Sequence, residues 1–259
     1  MRARIITAII GLPLLLLCCY IGGWLLALLC AALAVVAAYE MDKIFIRHSF
    51  IVNFPLDALA ALLIAWTFGL ILRTVWPFAI AILIIILTYT WWAHYKKETL
   101  LSCIARTVAV FYIGIGFGAI LALRLNYGNW LWVLLAFLNV WITDTTAHLV
   151  GSRYGRNKLA PRISPHKTLE GALAGLIAAA FICPIYMALF LHLPYFTALP
   201  LAILFSVAAQ LGDLLESALK RWAGIKDSGQ IFPGHGGVLD RFDSLMLSAP
   251  LVLFLLSSL

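Results

Sequence analysis

The stretch "LEGALAGLIAAAFICPIYMALFL", Leu169–Leu191, holds one charged residue in 23, and that one, Glu170, stands near its start. A helix crossing a bilayer needs roughly 17–25 largely apolar residues, so this run reads as a membrane span. Outward from it, comparable runs lie at Ile5–Ile21, Trp24–Tyr39, Ala58–Leu72, Trp76–Trp92, Thr107–Leu123, Trp130–Ala147, Ala198–Lys220 and Leu245–Leu259. The expected fold is therefore an all-α polytopic integral membrane protein of about nine transmembrane helices.

Composition agrees. Of 259 residues, 64% are hydrophobic and 11% charged, with a mean hydropathy of +1.03. Soluble domains are about a quarter charged, so too little polar surface exists here for a separate soluble domain. One membrane domain over residues 1–259 is expected. It comprises an N-terminal five-span part, 1–125, and a C-terminal catalytic part, 126–259. The opening "MRARIITAIIGLPLLLLCCY" has the basic start of a signal peptide but no A-x-A site, and reads as a retained first span. Cys18, Cys19, Cys30, Cys103 and Cys183 lack metal-ligand spacing and read as packing residues, four in apolar runs and Cys103 in a short polar connection.

Charge placement orients the spans. With the N-terminus in the cytoplasm and the C-terminus outside, 16 of the 18 Lys and Arg residues fall on the cytoplasmic side, leaving Arg73 and Arg124 outside. Trp24, Trp76, Trp130 and Trp132 then lie near the outer boundary, and Trp91, Trp92 and Trp222 near the inner one. The net charge of +7 is thus mostly topology and attraction to anionic lipid headgroups, not a nucleic-acid footprint.

Two connections on the cytoplasmic side are richer than the rest, spanning 148–168 and 221–244. Within Ser217–Ser244, "SALKRWAGIKDSGQIFPGHGGVLDRFDS", sit three Asp, two Lys, two Arg, one His and five Gly. Asp213, Glu216, Ser217 and Lys220 recur at i, i+3, i+4 and i+7, one helix face. A bare carboxylate in hydrocarbon costs several kcal/mol, so Asp213 must face protein, water or a cation. Asp144 and His148 form a comparable i, i+4 pair at the inner end of the sixth span. Asp240 and Asp243 precede the last span, and Asp227 adds a fifth aspartate. Mg²⁺ takes carboxylate oxygens and substrate phosphates together. The bases Lys167, Lys220, Arg221, Lys226 and Arg241 suit phosphate oxygens, and the glycines of "GHGG" let backbone N–H groups approach a phosphate. Together these features point to a metal–polyphosphate site at a membrane surface. Thr168 is a candidate helix N-cap.

Ser217–Asp243 resembles the signature of the phosphatidate cytidylyltransferases: Ser217, Lys220, Arg221, Lys226, Asp227, Pro233, His235, Gly236, Gly237, Asp240, Arg241 and Asp243 all stand in place. "QLGDLLES", "KLAPRISPHKTLEG", "RIITAIIGLPL" and "YEM" also resemble segments of that family, strongly from Asp144 onward and loosely before it. Thr146 and His148 depart from the family's small-then-aromatic pattern after Asp144. The resemblance implies transfer of a cytidylyl group from CTP to phosphatidic acid in the bilayer, giving CDP-diacylglycerol and pyrophosphate. It also implies a homodimer and a bacterial cytoplasmic (inner) membrane, with the active site facing the cytoplasm.

On that basis Asp213 and Asp240, with Asp243 as a further ligand, are expected to hold Mg²⁺, alone or beside a second cation. Asp144 and Asp227 support them. Lys167, Ser217, Lys220, Arg221, Lys226 and Arg241 are expected at the substrates' phosphates, and His235, Gly236 and Gly237 in the loop that shapes the phosphate site. Two other readings stay open on sequence: a CTP-dependent polyprenol or dolichol-type lipid kinase, and a transporter of a phosphorylated solute.

Overall fold

The computed structural model describes residues 2–70, 75–231 and 236–257. Arg73, Pro233 and His235 lie outside them. The described residues contain nine α-helices: α1 (Arg2–Ile21), α2 (Gly23–Ile46), α3 (Phe54–Gly69), α4 (Trp76–Lys96), α5 (Leu100–Tyr127), α6 (Trp130–Tyr154), α7 (Leu169–Phe190), α8 (Tyr195–Trp222) and α9 (Leu239–Ser257). Six of them (α2 and α4 to α8) are long and apolar enough to cross a membrane. Of the rest, α3 is a shorter apolar helix, about 24 Å long at 1.5 Å per residue, and α9 opens on the polar turn Leu239–Asp243. The protein is an all-α polytopic membrane protein. Large apolar side chains such as Trp24, Leu100, Phe181, Phe196 and Phe254 remain exposed, as a chain solvated by lipid requires.

Helix starts follow local chemistry. The side chains of Asn53, Thr99, Asn129 and Thr168 accept from the amides of Leu56, Ser102, Leu131 and Gly171 respectively, satisfying donors that have no partner inside the helix. One feature falls outside the helical pattern: a hairpin of β1 (Lys158–Ala160) and β2 (Ser164–Thr168), paired antiparallel with Lys158 opposite Thr168. Pro161 and Pro165 keep this segment from continuing α6.

Two sequence expectations are corrected. The fifth span was expected from Thr107, which left Arg106 in the connection before it. Instead α5 starts at Leu100 and buries Arg106 to 1% exposure. Hydropathy stops a span at an isolated cation, but here Asp57 and Glu98 neutralise it. Cys103 consequently lies in α5, not in a polar connection, and all five cysteines are free and buried.

The chain divides into two compact units. The first comprises Met1–Gly128 with Ala223–Arg241, the second Asn129–Trp222 with Phe242–Leu259. In the first, α3 and α5 pack through small residues: a Cβ on Gly114 would lie 2.6 Å from the Ile64 Cβ and 2.9 Å from the Ala61 carbonyl oxygen. Gly114 and Gly118 face Ala61 and Ala65, a small-xxx-small contact on both helices. In the second, Gly171 and Gly175 bring α7 against α6, where an added Cβ would meet the Ala147 and Thr143 carbonyls at 2.6 Å. Polar cross-links supplement this packing: Thr143 donates to Ser206 (2.9 Å), Asn139 to the Ala202 carbonyl (3.2 Å) and Tyr186 to the Leu131 carbonyl (2.9 Å). Gly114→Ala gains helix propensity but forces a methyl onto backbone that has no way to yield. We expect a net loss of about 1–3 kcal/mol, read as a lowered unfolding midpoint in detergent.

Candidate active site

In the second unit, α8 carries Asp213 and the hairpin delivers Lys167 to it: Nζ lies 2.6 Å from Oδ2, with both side chains about a quarter exposed. The strand geometry of β2 makes this possible. Thr168 is pinned as the N-cap of α7, and Glu170 accepts from the Arg156 and Asn157 amides and the Asn157 side chain, closing the hairpin base. The Asp213 Oδ1 accepts a long bond from the Ser217 hydroxyl, 3.4 Å. One turn on, buried Glu216 pairs with Lys220. The shared face expected for Asp213, Glu216, Ser217 and Lys220 is thus realised, with two ion pairs on it. Arg221 donates to the Ile163 carbonyl at the hairpin turn, 3.2 Å.

Asp144 on α6 interacts electrostatically with Asp213 and Lys167, and Asp243 on α9 with Asp213, Asp144 and Lys220. Three carboxylates and two lysines therefore gather in this unit. Close approach of α8 and α9 permits it: a Cβ on Gly212 would stand 3.2 Å from the Ser244 Cα.

The first unit holds another part of the signature. Asp240 Oδ2 accepts from the Ser228 amide (2.9 Å), the Ser228 hydroxyl (3.0 Å) and the Gly237 amide (2.8 Å). Glu40, from the "YEM" of α2, is 1% exposed. It accepts from the Val238 and Leu239 amides at 3.0 and 2.9 Å, and its Oε2 lies 3.1 Å from the Ser228 Oγ. The Gly237 amide, which the sequence offered to a phosphate, thus donates to a carboxylate of the protein itself, as does the neighbouring Val238 amide. Glu40 was not among the residues singled out from the sequence. Its signal was a carboxylate directly after the apolar run Trp24–Tyr39, in "YEMDK".

The cytidylyltransferase family profile matches residues 2–259. The chain belongs to the cytidylyltransferase family. It is 38% identical to a phosphatidate cytidylyltransferase of Staphylococcus haemolyticus, over 99% of both chains. It is 37% identical to one of Staphylococcus saprophyticus and 36% identical to one of Staphylococcus aureus, again over 99% of both. This cytidylyltransferase is accordingly a nucleotidyltransferase, an enzyme embedded in a membrane.

The remaining candidates of this cytidylyltransferase lie at its surface. Lys226, Asp227, Arg221 and Arg241 are exposed, as are Asp144 and His148, while Gly236 takes a positive φ of 88° that favours glycine. Among the described residues, no three His, Cys, Asp or Glu side chains form a ready-made metal cage. Mg²⁺ does not require one: it keeps several waters and is held by one or two carboxylates together with substrate phosphates. The donor chemistry around Asp213 fits that demand, with Asp144 and Asp243 in electrostatic reach and a lysine already balancing the charge.

Proposed function

We infer that this cytidylyltransferase is a phosphatidate cytidylyltransferase. A phosphatidate oxygen forms a bond to the α-phosphorus of CTP, the bond from that phosphorus to the α–β bridging oxygen breaks, and CDP-diacylglycerol and pyrophosphate result. The observation that carries this reading is full-length likeness to proteins of that name. The residues suit the chemistry. The nucleophile is already anionic near neutral pH, so no strong general base is required. The barrier lies in bringing two polyanions together and stabilising the leaving pyrophosphate, which calls for positioning and cationic groups. Lys167 and Lys220, each poised on a carboxylate, can turn to phosphate oxygens when substrate arrives. Arg221, Lys226 and Arg241 supply further exposed cations.

Mg²⁺ is the cofactor in this proposal, held by Asp213 with Asp144 or Asp243 in the second unit; Asp240 and Asp227 are acids of the signature carried by the first unit. Bound there, it would neutralise charge on the substrates' phosphates. We also propose that the enzyme sits in the bacterial cytoplasmic membrane with its N-terminus and site on the cytoplasmic side, as the Lys and Arg distribution indicates. A homodimeric assembly is part of the same proposal.

The test is the fate of label. With purified protein, phosphatidic acid and Mg²⁺, α-labelled CTP should pass its label into lipid, and γ-labelled CTP should release it as pyrophosphate. Label from the γ position in lipid would make the protein a lipid kinase. No lipid label from either position would overturn the enzyme reading and favour a transporter.

A further inference from the structure

Glu40 is buried within α2 and spends its carboxylate on a segment nearly 200 residues away in the chain. Its partners stand on both sides of the signature's Pro-x-His-Gly stretch: Ser228 before it, Val238 and Leu239 after it. We propose that Glu40 is a positioning residue for the cytidylyl transfer, gripping both flanks of this stretch so that the bases and acids around it are presented in one fixed arrangement. The proposal rests on the activity inferred above.

Three features of the contact support the assignment. Leu239 begins α9, where the first amides have no partner within the helix and the dipole favours an anion; Glu40 supplies that anion from a different helix. Asp240 reaches back from the first turn of α9 to the Ser228 amide and the Gly237 amide. Ser228 Oγ stands 3.1 Å from Glu40 and 3.0 Å from Asp240, and its single proton serves one carboxylate at a time. The two flanks are therefore tied to each other and to α2. Finally, the packing leaves no slack: a Cβ on Gly237 would overlap both Glu40 carboxylate oxygens and the Ser228 hydroxyl, and one on Gly229 would overlap Glu40 as well. These glycines admit a carboxylate of the protein.

Chemically conservative changes should then fail. Glu40→Gln places an amide NH₂ against the Val238 amide or the Leu239 amide, donor to donor. Glu40→Asp keeps the charge but is one methylene too short. A misplacement of about 1 Å can cost about a hundredfold in rate.

The experiment compares wild type, Glu40→Gln, Glu40→Asp and Ser228→Ala in detergent. Turnover, unfolding midpoint and amide hydrogen exchange are followed. For Glu40→Gln we expect turnover about a hundredfold lower, an unfolding midpoint within a few degrees of wild type, and exchange at least tenfold faster confined to residues 226–240. Ser228→Ala should move each readout in the same direction by less, and adding it to Glu40→Gln should cost little more. Turnover within threefold of wild type, or unchanged exchange in 226–240, would overturn the proposal. So would exchange accelerated equally across α2 to α5, the mark of a merely structural role. If Glu40→Gln does not fold, Ser228→Ala decides by the same criteria. Should the wild type fail to label lipid, the activity reading falls, while the exchange data still decide whether Glu40 holds the segment.

Discussion

Asp213→Asn is expected to lower turnover about a thousandfold, about 4 kcal/mol of transition-state stabilisation at 1.36 kcal/mol per decade, with membrane insertion and monodispersity in detergent unchanged. The geometry explains the size. Asp213 is partly exposed on α8, paired with Lys167 at 2.6 Å and electrostatically coupled to Asp144 and Asp243. The amide retains the shape and can still accept from Ser217, so folding loses little. It cannot bind a dication as a carboxylate does, and it removes the ion-pair partner of Lys167, which keeps the electrostatic company of Asp144. Partial replacement by the remaining acids would appear as a raised Mg²⁺ requirement. Activity within tenfold of wild type at saturating Mg²⁺ would remove Asp213 from the site's chemistry.

The second large effect concerns stability. Arg106 lies in α5 at 1% exposure, donating from Nε and Nη2 to Asp57 and from Nη1 to Glu98 at 3.0–3.3 Å. Tyr89 hydrogen-bonds Asp57 as well, and its ring faces the guanidinium with 5.0 Å between carbon and centroid. Arg106→Met fills the volume but leaves two buried acids without their cation. Breaking one side of a buried ion pair typically costs about 3–5 kcal/mol, a large part of the stability of most proteins. The expected results are a sharply lowered unfolding midpoint and poor yield. Adding Asp57→Asn should restore part of the loss, because it removes one of the stranded charges. A midpoint unchanged by Arg106→Met would mean that the network contributes no net stability.

These two residues illustrate how far the sequence could be read. The apolar runs placed every helix, because spanning length and hydropathy are local properties. Each of the nine expected segments lies largely within a helix of the structure. The signature pointed to the enzyme family because its spacing is also local. The reading failed where charge is neutralised at a distance. Arg106 looked like a loop cation because its partners Asp57 and Glu98 are 49 and 8 residues away. Glu40 passed unnoticed because its partners lie beyond residue 227.

The sequence by itself determined that the chain is a helical membrane protein and which acids, bases and glycines it brings to phosphate chemistry. Length, hydropathy and motif spacing survive any folding, so they need no coordinates. Only the tertiary structure decided how those residues are paired. It set Lys167 on Asp213 through a hairpin that a helical pattern does not foretell, and it gave Asp243 the company of Asp144 and Asp213. It also tied Asp240 to Ser228 and Gly237 beside Glu40. The physical reason is that a buried carboxylate takes whatever donor the fold brings within about 3 Å, and that distance is set by helix packing between segments far apart in the chain.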